Sequence, residues 1–314
     1  MKYIGIQEQI RRNNRKSVLL LIAFPTVLLL SVYAVVLLMQ YQPDYGYDLD
    51  YINQSFLSIA PIVMVVVGIW FTIAYFGHTK MISMATGAKP LERKSNMKIY
   101  NLVENLCISQ GMRMPKVEII ESTALNAYAS GIDEKTYTVT LTRGIIEALE
   151  EDELEGVIAH ELMHIQNRDV RLLVVSIIFV GIFTFIMEIS FRSMLYGGGR
   201  RNNKDSGKFM LVILVVSVVA YLLTMLFRFS LSRSREYMAD SGAAAMTRKP
   251  WALASALKKI AGHHHIKDIK SEEIKQMFIE NTTDKKNANI FSSLSGLFTT
   301  HPPIAKRIAF LEKV

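Results

Sequence analysis

Val157-Ile158-Ala159-His160-Glu161-Leu162-Met163-His164-Ile165 is the stretch on which the reading of this chain turns. Leu154, Val157, Ile158 and Leu162 recur at helical spacing, and the acidic residues Glu150 to Asp152 stand where a helix start favours negative charge, so a helix is predicted over 152–166. A four-residue step advances such a helix by slightly more than one turn. His160 and His164 therefore leave from one face, with nitrogens able to meet a single cation, and zinc is the natural occupant of an HExxH pair. The competing reading is a solvated helix with two surface histidines. It fits poorly, because uncompensated imidazoles are badly placed in so apolar a stretch.

A catalytic zinc generally takes three protein ligands, so a third donor is needed from elsewhere. Cys107 is the only cysteine, which excludes an intramolecular disulfide and leaves the metal to histidines and carboxylates. Ser234-Arg235-Glu236-Tyr237-Met238-Ala239-Asp240 offers two carboxylates four residues apart on one helix face. That spacing suits a division of labour, Glu236 ligating the metal and Asp240 accepting a hydrogen bond from the distal nitrogen of a ligating histidine. The alternative is an acidic pair on a solvated helix, compensated by Arg233 and Arg235. His263-His264-His265 is set aside: three adjacent histidines on a helix point in different directions, and an exposed loop after Gly262 is expected there.

Outward from these motifs the chain becomes strongly apolar. Of its 314 residues 50% are hydrophobic and 20% charged, which excludes a disordered chain. The apolar residues gather in four runs, Val18 to Met39, Phe56 to Gly77, Leu172 to Phe191 and Phe209 to Phe227. The first is uncharged and about 33 Å long as a helix, enough to span a bilayer, and too long for a cleavable signal. Basic residues set the orientation. Lys2, Arg11, Arg12, Arg15 and Lys16 precede the first run, Asp44, Asp48 and Asp50 lie between the first two, and Lys80, Lys89, Arg93, Lys94 and Lys98 follow the second. The N-terminus and the middle segment are thus expected on the cytoplasmic side. The third and fourth runs, the third carrying Glu188, are expected to cross twice, although Arg192 to Lys208 would then be a basic loop outside.

Between the second and third runs, Ser95 to Met112 reads as an amphipathic helix, Lys116 to Glu121 and Tyr137 to Leu141 as strands, and Thr142 to Leu149 as a short helix. The expected fold is an integral membrane protein, mainly α with a small antiparallel sheet. Its segments are 1–78, two membrane helices; 79–171, the first part of a zinc domain; 172–228, an apolar hairpin; and 229–314, the second part with the third ligand.

Taken together, these residues resemble the HtpX-type membrane zinc metalloproteases, gluzincins related to the prenyl-protein endoproteases. The resemblance covers nearly the whole chain: two N-terminal apolar runs, Leu125 to Gly131, the HExxH helix, a hairpin before Ser-Arg-Glu-Tyr-x-Ala-Asp, and His301-Pro302-Pro303 followed by Arg307. It implies one Zn²⁺ on His160, His164 and Glu236, Glu161 as catalytic acid/base, Asp240 behind a ligand, and Asn126 introducing a strand that aligns substrate backbone by strand addition. On the oxyanion side, which gluzincins usually furnish with His, Tyr or Arg, the candidates are His301 and Arg307, with Tyr237 behind them. His301 could equally be a fourth metal ligand or a loop residue, and Arg307 a partner of Asp or Glu on the closing helix. The implied activity is hydrolysis of peptide bonds at the cytoplasmic face of a bacterial inner membrane, in quality control of damaged membrane proteins.

Three other readings are weaker. A prenyl-peptide protease would carry more membrane helices around a chamber. A transporter would place charges inside its spans, where only Glu188 lies, and an inactive scaffold would have lost a motif residue. The net charge of +8 collects beside the apolar runs, which fits anionic lipid as a partner, with protein or peptide substrates and no nucleic acid.

Overall fold

Two long helices open the chain. In the computed structural model, which describes residues 6–40, 46–179, 181, 215–216, 218–219, 233–261 and 302–313, α1 is Ile6–Met39 and α2 is Leu49–Thr86. Both outrun their uncharged cores: α1 begins within the basic segment before Val18, and α2 continues past Gly77. Each is long and apolar enough to cross a bilayer, and only 11% and 6% of their most apolar windows are buried within the protein. Leu19, Leu57 and Phe76 are among the side chains left outward, a surface that water solvates poorly.

The chain divides into two units. One comprises Lys16–Phe76 and Ser176–Phe229. Within it Tyr33 donates to Asn53 Oδ1 and meets Phe56 edge-on, while the Phe179 ring stacks on Phe24 at 4.2 Å and on Phe71 at 5.3 Å. Glu188 and nearly all of the fourth run lie outside the described residues, as do the histidine triplet and His301.

The other unit, Met1–Arg15, Gly77–Val175 and Ser230–Val314, carries the HExxH motif. In order it contains β1 Lys89–Pro90, α3 Met97–Ser109, β2 Lys116–Ile120, β3 Ala127–Ser130, β4 Thr138–Thr142, α4 Arg143–Ala148 and α5 Glu151–Gln166. Residues 169–179 form α6, and α7 Arg233–Thr247, α8 Pro250–Ile260 and α9 Ile304–Leu311 follow. The short elements keep close to their sequence signals because each has a local cap. Asn96 Oδ1 accepts from Ile99 N–H at the start of α3, Thr142 Oγ1 from Ile145 N–H at the start of α4, and Glu153 reaches back to the Glu150 N–H at the start of α5.

The sheet differs from the expected antiparallel one. Its order is β1-β2-β4-β3, with β2 and β4 parallel and the other pairs antiparallel. The reason lies in β3, which reverses the chain between β2 and β4 but pairs on the far side of β4. Two reversals bring β4 back in the direction of β2, and the pair closes as a parallel one.

Helix α5 lies against β3 and is covered by α7 and α8. Gly156 makes the approach to α8 possible: a Cβ there would sit 3.2 Å from the Leu253 backbone, tighter than ordinary contact. The same pair of helices is tied by Glu153, which accepts from Lys259 Nζ at 2.6 Å and Ser255 Oγ at 2.7 Å. Val157, Ile158 and Leu162 are fully covered, so α5 is a core helix and its histidines are presented from inside the unit.

Candidate metal centre

The helical step between His160 and His164 brings their Nε2 atoms to 3.1 Å from each other. Glu236, from the first turn of α7, places Oε2 3.7 Å from His160 Nε2 and Oε1 3.7 Å from His164 Nε2. One ligand atom from each residue lies within 4.8 Å of the other two. Tetrahedral zinc with bonds of about 2.0–2.1 Å keeps adjacent donors roughly 3.3 Å apart, and these separations bracket that value. Two imidazoles and one carboxylate are also the donor chemistry that zinc takes, so the residues fit the ion.

Each imidazole is held from behind by a carboxylate. His160 Nδ1 is 3.0 Å from Asp240 Oδ1, and His164 Nδ1 is 3.1 Å from Asp169 Oδ2. A proton held at Nδ1 in this way leaves Nε2 unprotonated for a cation. Asp240 is the residue expected for this purpose, one helical turn after Glu236. Asp169 is not foreseen from sequence. The signal available for it is the polar triplet Asn167-Arg168-Asp169 directly after α5, where Arg168 takes a left-handed φ of 59° and turns the chain so that Asp169 faces back to His164.

A profile of Peptidase family M48 matches residues 93–314. The chain belongs to that family. Two proteins named Protease HtpX homolog are similar to this chain: one from Bacteroides fragilis is 51% identical over the whole of both chains. The other, from Dictyoglomus thermophilum, is 33% identical over 98% of this chain and 94% of its own. Ste24p of S. mikatae, a solved structure, aligns with a TM-score of 0.47 and 19% identity over 96% of this chain and 66% of its own. M48 membership and the ligand cluster together make the protein a zinc metalloendopeptidase.

The remaining residues expected in the M48 site fall into two groups. Arg307, from α9, is fully buried beside the ligands: its Nε and Nη2 donate to the two oxygens of Asp240 at 3.0 and 2.7 Å, and its Nη1 lies 3.4 Å from Glu236 Oε2. The structure thus pairs it with acidic groups of α7, not with one on its own closing helix as the sequence reading allowed. Tyr237, on α7, packs edge-on against Phe310 of α9. Asn126 is buried just before β3, with its carbonyl accepting from the Thr142 N–H and hydroxyl and its own Oδ1 accepting from Ala127 N–H. It sets the start of β3, which ends the order β1-β2-β4-β3.

Charges in the M48 site compensate one another. Burial opposes ionisation of Asp240 and of Asp169, but Arg307 and His160 around the first, and His164 and Arg235 around the second, hold both carboxyls below their usual range. Burial likewise opposes the charged form of His164, yet Asp169, Glu236 and Glu161 outweigh it and raise its pKa to about 9. Glu161 moves the other way from the aspartates. Burial raises its pKa, and the opposing attraction of His160, His164 and Arg307 does not cancel that.

Proposed function

We propose that this chain is a membrane-bound endopeptidase that cuts exposed segments of membrane proteins at the cytoplasmic face of a bacterial inner membrane, in the clearance of damaged or misfolded chains. The observation that carries the reading is the convergence of His160 Nε2, His164 Nε2 and Glu236 beside the buried Glu161, in a chain whose first two helices present long apolar faces. His160, His164 and Glu236 hold the ion in this reading. Zinc, when bound, supplies Lewis-acid activation of water and of the scissile carbonyl. Glu161 takes the proton of the attacking water and returns it to the leaving amine nitrogen, a transfer suited to a carboxyl whose pKa is raised by burial. Asp240 and Asp169 keep the histidine tautomers, and Arg307 keeps Asp240 ionised. β3, introduced by Asn126, offers its outer edge to an extended substrate backbone. His301, outside the described residues, stays a candidate on the oxyanion side.

Detergent-purified protein is expected to carry one zinc per chain and to cleave casein, with both lost on chelation and restored by zinc. Loss of zinc without loss of cleavage would overturn the reading. The same titration reports the His164 proton. An imidazole with a pKa near 9 must lose its proton to bind metal, so apparent zinc affinity rises with pH up to about 9 and levels off above it. In the metal-free protein the sign is opposite: the raised pKa stabilises the fold below about 6.5, the usual histidine value, and that contribution disappears as pH climbs through 9.

Topology follows from the shared site. His164 precedes the third apolar run and Glu236 follows the fourth, so both flanks occupy one side of the membrane. Lys135 and Lys306 are exposed, and single cysteines there are expected to resist a membrane-impermeant thiol reagent in intact cells and to react once the cells are opened. Native Cys107 does not interfere, being buried with its thiol pKa pushed up to about 11. A cysteine at Asn203, in the basic loop, reacts from outside if the hairpin crosses twice. Opposite accessibility of the Lys135 and Lys306 positions in an active protein would contradict the shared site.

A further inference from the structure

We propose that Asn13, near the start of α1, is a positioning residue for the zinc, acting through Asp169 on His164; this rests on the metal site proposed above. Asn13 lies in the segment Arg11-Arg12-Asn13-Asn14-Arg15, whose arginines are all exposed, while its own side chain is 1% exposed. Its single amide group donates twice, to the Asn167 carbonyl at 2.9 Å and to Asp169 Oδ1 at 2.6 Å. Both acceptors lie just after the HExxH helix, more than 150 residues away in sequence. The opposite oxygen of the same carboxylate, Oδ2, faces His164 Nδ1 at 3.1 Å.

A carboxylate can orient an imidazole only if its own rotation is restrained. Asp169 is 5% exposed, and its Oδ1 is held by the Asn13 amide and faced by the Arg235 guanidinium at 3.7 Å. The amide is the short, directional contact of the two, of the charge-assisted kind that is stronger than a neutral hydrogen bond. Its second hydrogen, on the Asn167 carbonyl, fixes the turn in which Arg168 takes its left-handed conformation, so Asn13 sets both the backbone that carries Asp169 and the plane of its carboxylate. An amide needed only to satisfy a buried carbonyl would use one hydrogen. The run of contacts is Asn13 Nδ2 to Asp169 Oδ1, Asp169 Oδ2 to His164 Nδ1, and His164 Nε2 to the ion.

The test compares the full-length protein in detergent with Asn13→Leu, Asn13→Ser, Asp169→Asn and the double variant Asn13→Leu/Asp169→Asn. Zinc dissociation constants are read by competition with a chelating indicator, site geometry by the visible spectrum of the Co²⁺-substituted protein, and folding by the melting temperature of the metal-free protein. Asn13→Leu is expected to weaken zinc binding about 10-fold, the lower end for removing a partner behind a ligand, and to shift the Co²⁺ bands. Asn13→Ser, which keeps a donor, falls between parent and Leu and carries the test alone if Asn13→Leu does not fold. In the Asp169→Asn background the Asn13 change adds nothing, because the route through the carboxylate is already cut. Parental zinc affinity and Co²⁺ bands in a folded Asn13 variant overturn the proposal even if its melting temperature falls, as does an undiminished effect in the Asp169→Asn background. A parent protein that binds no zinc defeats the proposed function instead, and the two failures are told apart in the same titration.

Discussion

Glu161→Gln is expected to lower peptide hydrolysis by roughly 10²- to 10⁴-fold while leaving one zinc bound. The glutamine has the shape of the glutamate but cannot take a proton from water, so the change isolates proton transfer from packing. Glu161 sits buried among His160, His164, Glu236 and Arg307, and burial raises its pKa. Its neutral replacement therefore removes a charge that was costly to bury, and the folded state is not expected to suffer. Zinc content by mass spectrometry beside peptidase rate makes the check. Loss of zinc in this variant would move Glu161 from proton transfer to ligation, whereas retained activity would remove it from the mechanism.

Arg307→Leu is expected to cost the fold about 3–5 kcal/mol, the usual penalty for deleting one partner of a buried ion pair. The side chain is fully buried and satisfies both oxygens of Asp240 while facing Glu236 at 3.4 Å, so its loss strands two carboxylates away from water. Zinc relieves part of that, since a bound cation draws on Glu236 and leaves only Asp240 exposed to the deficit. The loss measured by chemical denaturation is therefore larger in chelated than in zinc-loaded protein. Arg307→Lys keeps a charge but not the forked geometry and recovers only part of the difference. Equal stability of Arg307→Leu and parent without zinc would show that the ion pair contributes nothing to the fold.

His160 and His164 were legible from sequence because one turn of helix is enough to bring two histidines to a common point, and no distant residue is needed to predict it. The long apolar runs were legible for a similar reason: hydropathy over a window depends only on neighbours. Glu236 and Asp240 could be proposed from their spacing, but the spacing says only that they share a face, and the convergence of that face on α5 comes from packing. The sheet shows where local signals end. Strand signals at Lys116 and Tyr137 were visible, but pairing is chosen by where β3 docks, and β3 is only Ala127-Tyr128-Ala129-Ser130, too short and mixed to announce its place. Asp169, Asn13 and the partners of Arg307 were invisible in the same sense. An amide, a carboxylate and a guanidinium are common on surfaces, and nothing within a few residues of Asn13 distinguishes it from Asn14. Only tertiary structure removed water from these groups and set them against partners up to 156 residues away, because a buried polar group must find a complement wherever the fold can bring one.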